Sequence, residues 1–78
     1  MMEGTLGEIK FFAGNYAPRC WAFCHGQIMQ INHNEALFSI LGIQYGGDGR
    51  TTFALPKIDD MNCCRAIICI EGMYPSRS

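Results

Sequence analysis

The chain has 78 residues, of which 49% are apolar and 17% charged, and its six basic and seven acidic side chains leave a net charge of −1. A chain of this length forms one domain with a thin core, and its apolar content is too high for intrinsic disorder. The even charge balance argues against a nucleic-acid partner. The sequence also lacks an apolar run of about 18 residues and an export signal, which predicts a cytoplasmic product without signal peptide or membrane insertion.

Alternation of large and small side chains predicts three short strands in the first part of the chain. They cover residues 7–13, 20–24 and 28–31. The last two are separated by His25 and Gly26, which favours a hairpin with a tight turn. In the first strand, Ile9 shares an apolar face with its alternate neighbours.

A helix is predicted over residues 33–41, because apolar side chains recur there at helical spacing. Asn32 and Glu35 form an imperfect capping box at its start, and Gly42 is placed to end it.

Two further strands are predicted over residues 51–55 and 64–70, the second apolar on both faces and therefore buried. The expected architecture is an α+β fold, a small and mainly antiparallel β-sheet with one short helix packed on it. We expect a single domain over residues 1–78, with flexible ends at 1–6 and 73–78. The predicted core consists of Trp21, Phe23, Leu37, Ile40, Leu41, Phe53, Leu55, Ile68 and Ile70.

The glycine-dense segment from Gly46 to Thr52 suggests a phosphate-binding loop. The order of elements argues against it, since a phosphate loop runs from a strand into a helix and this one runs from a helix into a strand. The structural interpretation is a set of turns that need positive φ, with Asp48 bonding amides of its own loop.

Five cysteines in a short chain raise the question of a metal. A zinc site is the alternative to a purely structural module, and its ligands would come from Cys20, Cys24, His25, Cys63 and Cys64. The spacing is unfavourable, because Cys20 and Cys24 in one strand would lie about 13 Å apart and the adjacent Cys63 and Cys64 would face opposite ways. A cysteine nucleophile paired with a histidine has no local signature, so we expect no enzyme and no cofactor.

Several segments together resemble the phage tail collar domain, which includes the microcystin-dependent proteins. They are 7–15 (GEIKFFAGN), 17–19 (APR), 21–22 (WA), 24 (C), 26–27 (GQ), 36–42 (ALFSILG), 45–56 (YGGDGRTTFALP) and, near the end, 67–77 (IICIEGMYPSR). The chain departs from the family at Cys20, where a glycine usually precedes the tryptophan. It also replaces the long segment that normally follows Pro56 with a short bridge, as if the distal part were removed.

This resemblance implies a structural and adhesive tail-fibre component of a phage or prophage-derived particle, a virion component that helps host attachment. It also implies a homo-oligomer, such as a homotrimer, with other tail or baseplate proteins and a host surface receptor as partners. The candidate contact residues are Tyr45, Asp48, Arg50, Lys57 and Asp59. The alternative is a small zinc- or thiol-stabilised binding domain.

Overall fold

The structure, a computed structural model, describes residues 4–75. Its elements in chain order are β1 (Ile9–Phe12), β2 (Trp21–Phe23), β3 (Ile28–Gln30), a 3₁₀ helix (Ile31–His33), α1 (Glu35–Leu41), β4 (Thr52–Ala54) and β5 (Arg65–Cys69). Antiparallel strands with one short α-helix confirm the α+β fold class. The strands divide into two sheets instead of the one expected, with orders β1-β5-β2 and β3-β4.

The central strand of the larger sheet is β5, which pairs antiparallel with both neighbours. Its side chains alternate between two apolar clusters. Ile68 packs with the helix and β4, whereas Ile67 packs with Trp21 on the opposite face. Both isoleucines are fully buried, as the two-sided apolar pattern predicted.

Six of the nine predicted core residues are buried, and the other three are half-buried against the same clusters. The half-buried ones are Phe23, Ile40 and Ile70. Further buried apolar residues complete the core: Leu6, Cys24, Ala54, Ala66, Ile67 and Cys69.

The predicted hairpin between β2 and β3 is wrong, because each strand pairs elsewhere: β2 with β5, and β3 with β4. The connection leaves one sheet and enters the other. Gly26 donates its N–H to the carbonyl of Pro56 at 3.2 Å, and the Gln27 side chain donates to the carbonyl of Phe23 at 2.9 Å. These bonds fix the connection between the two sheets, in which Gly26 has a φ of +75°.

The predicted capping box is also wrong. Asn32 lies inside the 3₁₀ helix, and α1 begins after Asn34, which makes no side-chain cap bond. Instead, the Asn34 amide donates to the carbonyl of Gln30 at 2.9 Å. The predicted stop at Gly42 is confirmed, since its N–H donates to the carbonyl of Phe38 and its φ is 60°.

The two ends of the described chain contact each other. Leu6 is buried and donates its N–H to the carbonyl of Met73 at 2.8 Å, and Thr5 forms a parallel bridge with Met73. Of the ends expected to be flexible, residues 1–3 and 76–78 lie outside the described residues. No helix within residues 4–75 has both the length and the apolar character needed to cross a membrane.

Candidate interaction surface

The loop after α1 is organised by the carboxylate of Asp48. Its Oδ1 accepts the backbone N–H groups of Arg50 and Thr51 at 2.9 Å and of Thr52 at 3.0 Å. Its Oδ2 accepts the Thr51 hydroxyl at 3.2 Å. Bonds from these backbone amides hold the pKa of Asp48 well below its usual range. The amides that would hold a phosphate are therefore satisfied from within the loop, which argues against phosphate binding here.

Close packing against β4 fixes the rest of the loop. Gly46 accepts the N–H of Ala54 at 3.0 Å. Gly47 has a φ of +97°, and a Cβ at that position would lie 2.3 Å from the Cα of Phe53. Only glycine allows this approach of two backbones, so the loop is a shaped structural element.

An open cleft of about 440 Å³ lies between this loop and the start of α1. Its lining combines one basic, one acidic and one apolar side chain with amides and hydroxyls. The lining residues are Gln30, Ile31, Asn32, Glu35, Arg50, Thr51 and Thr52. Asn32 and Glu35, expected to cap the helix, instead line this cleft.

The other predicted contact residues lie apart from Arg50. Lys57 and Asp59 line a second, smaller cleft of about 260 Å³, together with Cys24, His25, Ile58 and Asp60. Tyr45 is 46% exposed and lines neither cleft. The five candidate residues thus belong to at least two separate places on the surface.

Several large apolar side chains lie at the surface of the described residues. Nine of them within residues 4–75 have 40% or more of their surface accessible: Ile9, Phe11, Tyr16, Ile28, Ile43, Tyr45, Met61, Met73 and Tyr74. Ile9 and Phe11 lie on β1, an edge strand, on the face that alternation marked as apolar. Neither residue was among the predicted core residues.

The cysteines do not form one metal centre. Within residues 4–75, no three side chains of the histidine, cysteine, aspartate and glutamate types converge on one point. Cys24 and Cys69 are buried, and burial raises the pKa of both thiols. Cys20 lies near Glu71, with its Sγ 3.7 Å from the carboxylate.

Cys63 and Cys64 were expected to face opposite ways, and that prediction is wrong. Their Sγ atoms lie 3.8 Å apart, because the two residues stand in a tight turn and not in a strand. The zinc alternative, which drew on ligands from all over the chain, therefore has no site of three or more ligands among the described residues.

A small α+β module that satisfies its loop amides internally and exposes large apolar side chains is typical of proteins that bind other proteins. The family model described as the phage tail collar domain matches residues 7–61, well over half of the chain. The chain therefore belongs to the phage tail collar domain family, which is a structural family of phage tails and not a family of enzymes. No curated protein matches it.

Proposed function

We propose that this protein is a non-enzymatic structural and adhesion module of a phage tail or phage-derived particle, and that it works as a homo-oligomer, such as a homotrimer. Family membership supports the tail assignment. The observation that carries the oligomer is the exposed apolar surface, above all on β1. Burying such side chains between copies is the ordinary source of association free energy.

The edge strand β1 is the most favourable contact. It pairs on one side with β5, and no other strand of residues 4–75 covers its outer side. Ile9 and Phe11 project from one face of the strand with 40% and 42% of their surface exposed. Edge strands of this kind are templates for pairing with another chain unless a charge protects them.

The polar clefts are the proposed places for other partners. Arg50 and Glu35 contribute a positive and a negative charge to the larger cleft, and Lys57 and Asp59 line the smaller one. Tyr45 and Asp48 lie on the loop that follows α1. Together with Arg50, Lys57 and Asp59, they are the proposed contacts for tail or baseplate proteins and for a host surface receptor.

The test is the mass of the protein in solution, measured by native mass spectrometry and by light scattering. We expect an oligomer for the unaltered chain and a monomer with an unchanged circular dichroism spectrum for the double variant Ile9→Lys, Phe11→Lys. Ile28→Lys is the matched control, since Ile28 is also an exposed apolar strand residue but lies in the other sheet.

Two results would count against the proposal in different ways. A strict monomer without affinity for tail or baseplate proteins would overturn the assembly function. An oligomer that survives the double variant but dissociates with Ile28→Lys would move the contact from β1 to the smaller sheet.

A further inference from the structure

The larger sheet has two edge strands, and the outer side of β2 is already occupied. Cys24 donates its N–H to a carbonyl of β5 at 3.0 Å, so the alternate residues Trp21 and Phe23 turn their backbone groups away from β5. The Trp21 N–H is donated to the carbonyl of Pro18 at 3.0 Å. The Phe23 carbonyl accepts the side-chain amide of Gln27 at 2.9 Å. The edge of β2 is therefore blocked at both positions.

The outer side of β1 is open instead. Phe11 lies opposite Ala66 of β5, but the Ala66 carbonyl accepts its bond from Cys24 of β2. Because backbone groups reverse direction at each residue of a strand, Phe11 and Ile9 both point their N–H and C=O groups away from β5. No other strand, turn or loop backbone of residues 4–75 bonds to these groups. They form a row of free donors and acceptors, on which a further strand can pair.

A β-bulge before β1 sets where this open edge begins. Gly7 donates its N–H to the Cys69 carbonyl at 2.9 Å, while Cys69 donates its own N–H to the Glu8 carbonyl at 2.9 Å. Two residues of one strand thus oppose one residue of the other, and Gly7 has the positive φ, +85°, that this type of bulge needs. Since the N–H of Gly7 is already used, the open edge runs forward from Ile9 to the exposed Ala13.

The chemistry of this edge decides in which antiparallel register a second copy can pair with it. Placing Ile9 opposite Phe11 would set Lys10 against Lys10 of the second copy, and like charges directly opposite are destabilising. Placing Ile9 opposite Ile9 would bring Phe11 to Gly7, whose N–H is donated to β5. Only the register with Phe11 opposite Phe11 has neither fault.

We propose that two copies of this chain pair through antiparallel β1 strands, with Phe11 opposite Phe11 on the two-fold axis. Lys10 then faces Phe12 of the second copy, and Ile9 faces Ala13, so no like charges meet. The two three-stranded sheets become one continuous sheet, and the contact is the same surface on both copies, as a two-fold interface requires. This inference rests on the proposed association of copies, and it predicts an even number of copies in the oligomer.

A proline substitution tests the backbone pairing separately from the side chains. Phe11→Pro removes an outward N–H that β5 does not use, and edge strands tolerate proline at such a position. Phe11→Ala is the matched control, because it removes the aromatic ring but keeps the N–H. Analytical ultracentrifugation over a range of concentrations measures the Kd of each variant, and circular dichroism checks its fold. We expect pairing in Phe11→Pro to be weaker than in Phe11→Ala by on the order of tenfold, since each copy loses one hydrogen bond.

Disulfide cross-linking tests the register and does not depend on the proline variant. In Phe11→Cys, glutathione disulfide takes two electrons and two protons from the paired thiols and leaves as two glutathione thiols. The Cα atoms of such a hydrogen-bonded pair lie about 5.5 Å apart, within the range of a disulfide, so we expect a covalent dimer on a non-reducing gel. Ile9→Cys is the matched control, since its two copies would lie at least about 13 Å apart. The unaltered chain gives the background from its own cysteines.

The outcomes separate this pairing from the proposed function. A trimer, equal Kd values for Phe11→Pro and Phe11→Ala, or cross-links in Ile9→Cys instead of Phe11→Cys would overturn the pairing and leave the tail function standing. A strict monomer would also overturn the pairing, and it would overturn the assembly function if the chain has no affinity for tail or baseplate proteins. A monomer that binds such proteins, and loses them in Phe11→Pro, would assign this edge to a strand of another protein.

Discussion

Cys20 is one of two non-glycine residues, among those described, with positive φ. Its φ of 73° lies in the left-handed region, which glycine adopts freely and a side chain with a Cβ does not. The conformation is held by the segment that follows β5, because the Cys20 carbonyl accepts the N–H groups of Ile70 at 2.9 Å and Glu71 at 3.3 Å. Replacing Cys20 by glycine should therefore stabilise the fold.

The size of the effect follows from opposing contributions. Left-handed backbone costs a residue with a Cβ about 1–2 kcal/mol, whereas the extra freedom of glycine in the unfolded chain costs about 0.5–1 kcal/mol. The thiol contributes little, since its one polar contact is the weak 3.7 Å interaction with Glu71. We expect Cys20→Gly to raise the free energy of unfolding by about 0.5–1 kcal/mol, which for a domain of this size corresponds to about 2–8 °C in Tm.

Thermal and urea unfolding followed by circular dichroism measure this change. Cys20→Ala is the control, since alanine removes the same sulfur but keeps the Cβ and hence the unfavourable φ, so it should give no stabilisation. A glycine variant no more stable than the alanine variant would refute the reasoning, because the backbone would then not be strained at this position.

Three further predictions test the loop and the core. Gly47→Ala should lower the free energy of unfolding by about 3 kcal/mol or more, because its Cβ meets the backbone of Phe53. Gly49→Ala is the control: Gly49 also has positive φ but faces a side chain, so the cost should be about 1–2 kcal/mol. Equal costs for the two variants in urea unfolding would contradict this, because β4 would then shift to accommodate the Cβ. Trp21→Ala, at a side chain 4% exposed, should cost about 3–5 kcal/mol by circular dichroism, and an equally stable variant would contradict its place in the core. The folded-state pKa of Asp48 is lowered, so the Asp48 carboxylate stabilises the fold above its unfolded pKa of about 3.9, and this stabilisation is lost on acidification below it. In Asp48→Asn the free energy of unfolding should therefore fall less steeply below about pH 4 than in the unaltered chain. Parallel curves of stability against pH would contradict this.

Local sequence signals predict the structure correctly where local chemistry decides the outcome. The continuous apolar run of β5 predicted a strand buried on both faces, and Ile67 and Ile68 are both fully buried. Gly42 predicted the end of the helix, and it has the required positive φ. Asp48 was expected to bond its own loop amides, as it does within four residues.

Pairing between distant segments could not be derived in the same way. Alternation around Gly26 is identical whether the chain turns back or crosses to a second sheet, and the bond to Pro56 that decides between them is non-local. The cleft that joins Arg50 to Glu35 also depends on the loop folding back over the start of α1. For the cysteine pair a local signal did exist, since Asn62 favours a turn and a turn removes the strand geometry that was assumed.

The apolar face of β1 stays exposed because the lysine of this strand, Lys10, points to the opposite face. An outward lysine is a common protection of an edge strand, but Lys10 alternates with Ile9 and Phe11 and so lies on the opposite face. There its amine sits 4.5 Å from the centroid of the Trp21 ring, a favourable cation–π distance. The charge that would shield the edge is thus used to cover the tryptophan, and the apolar face of β1 remains available to another chain.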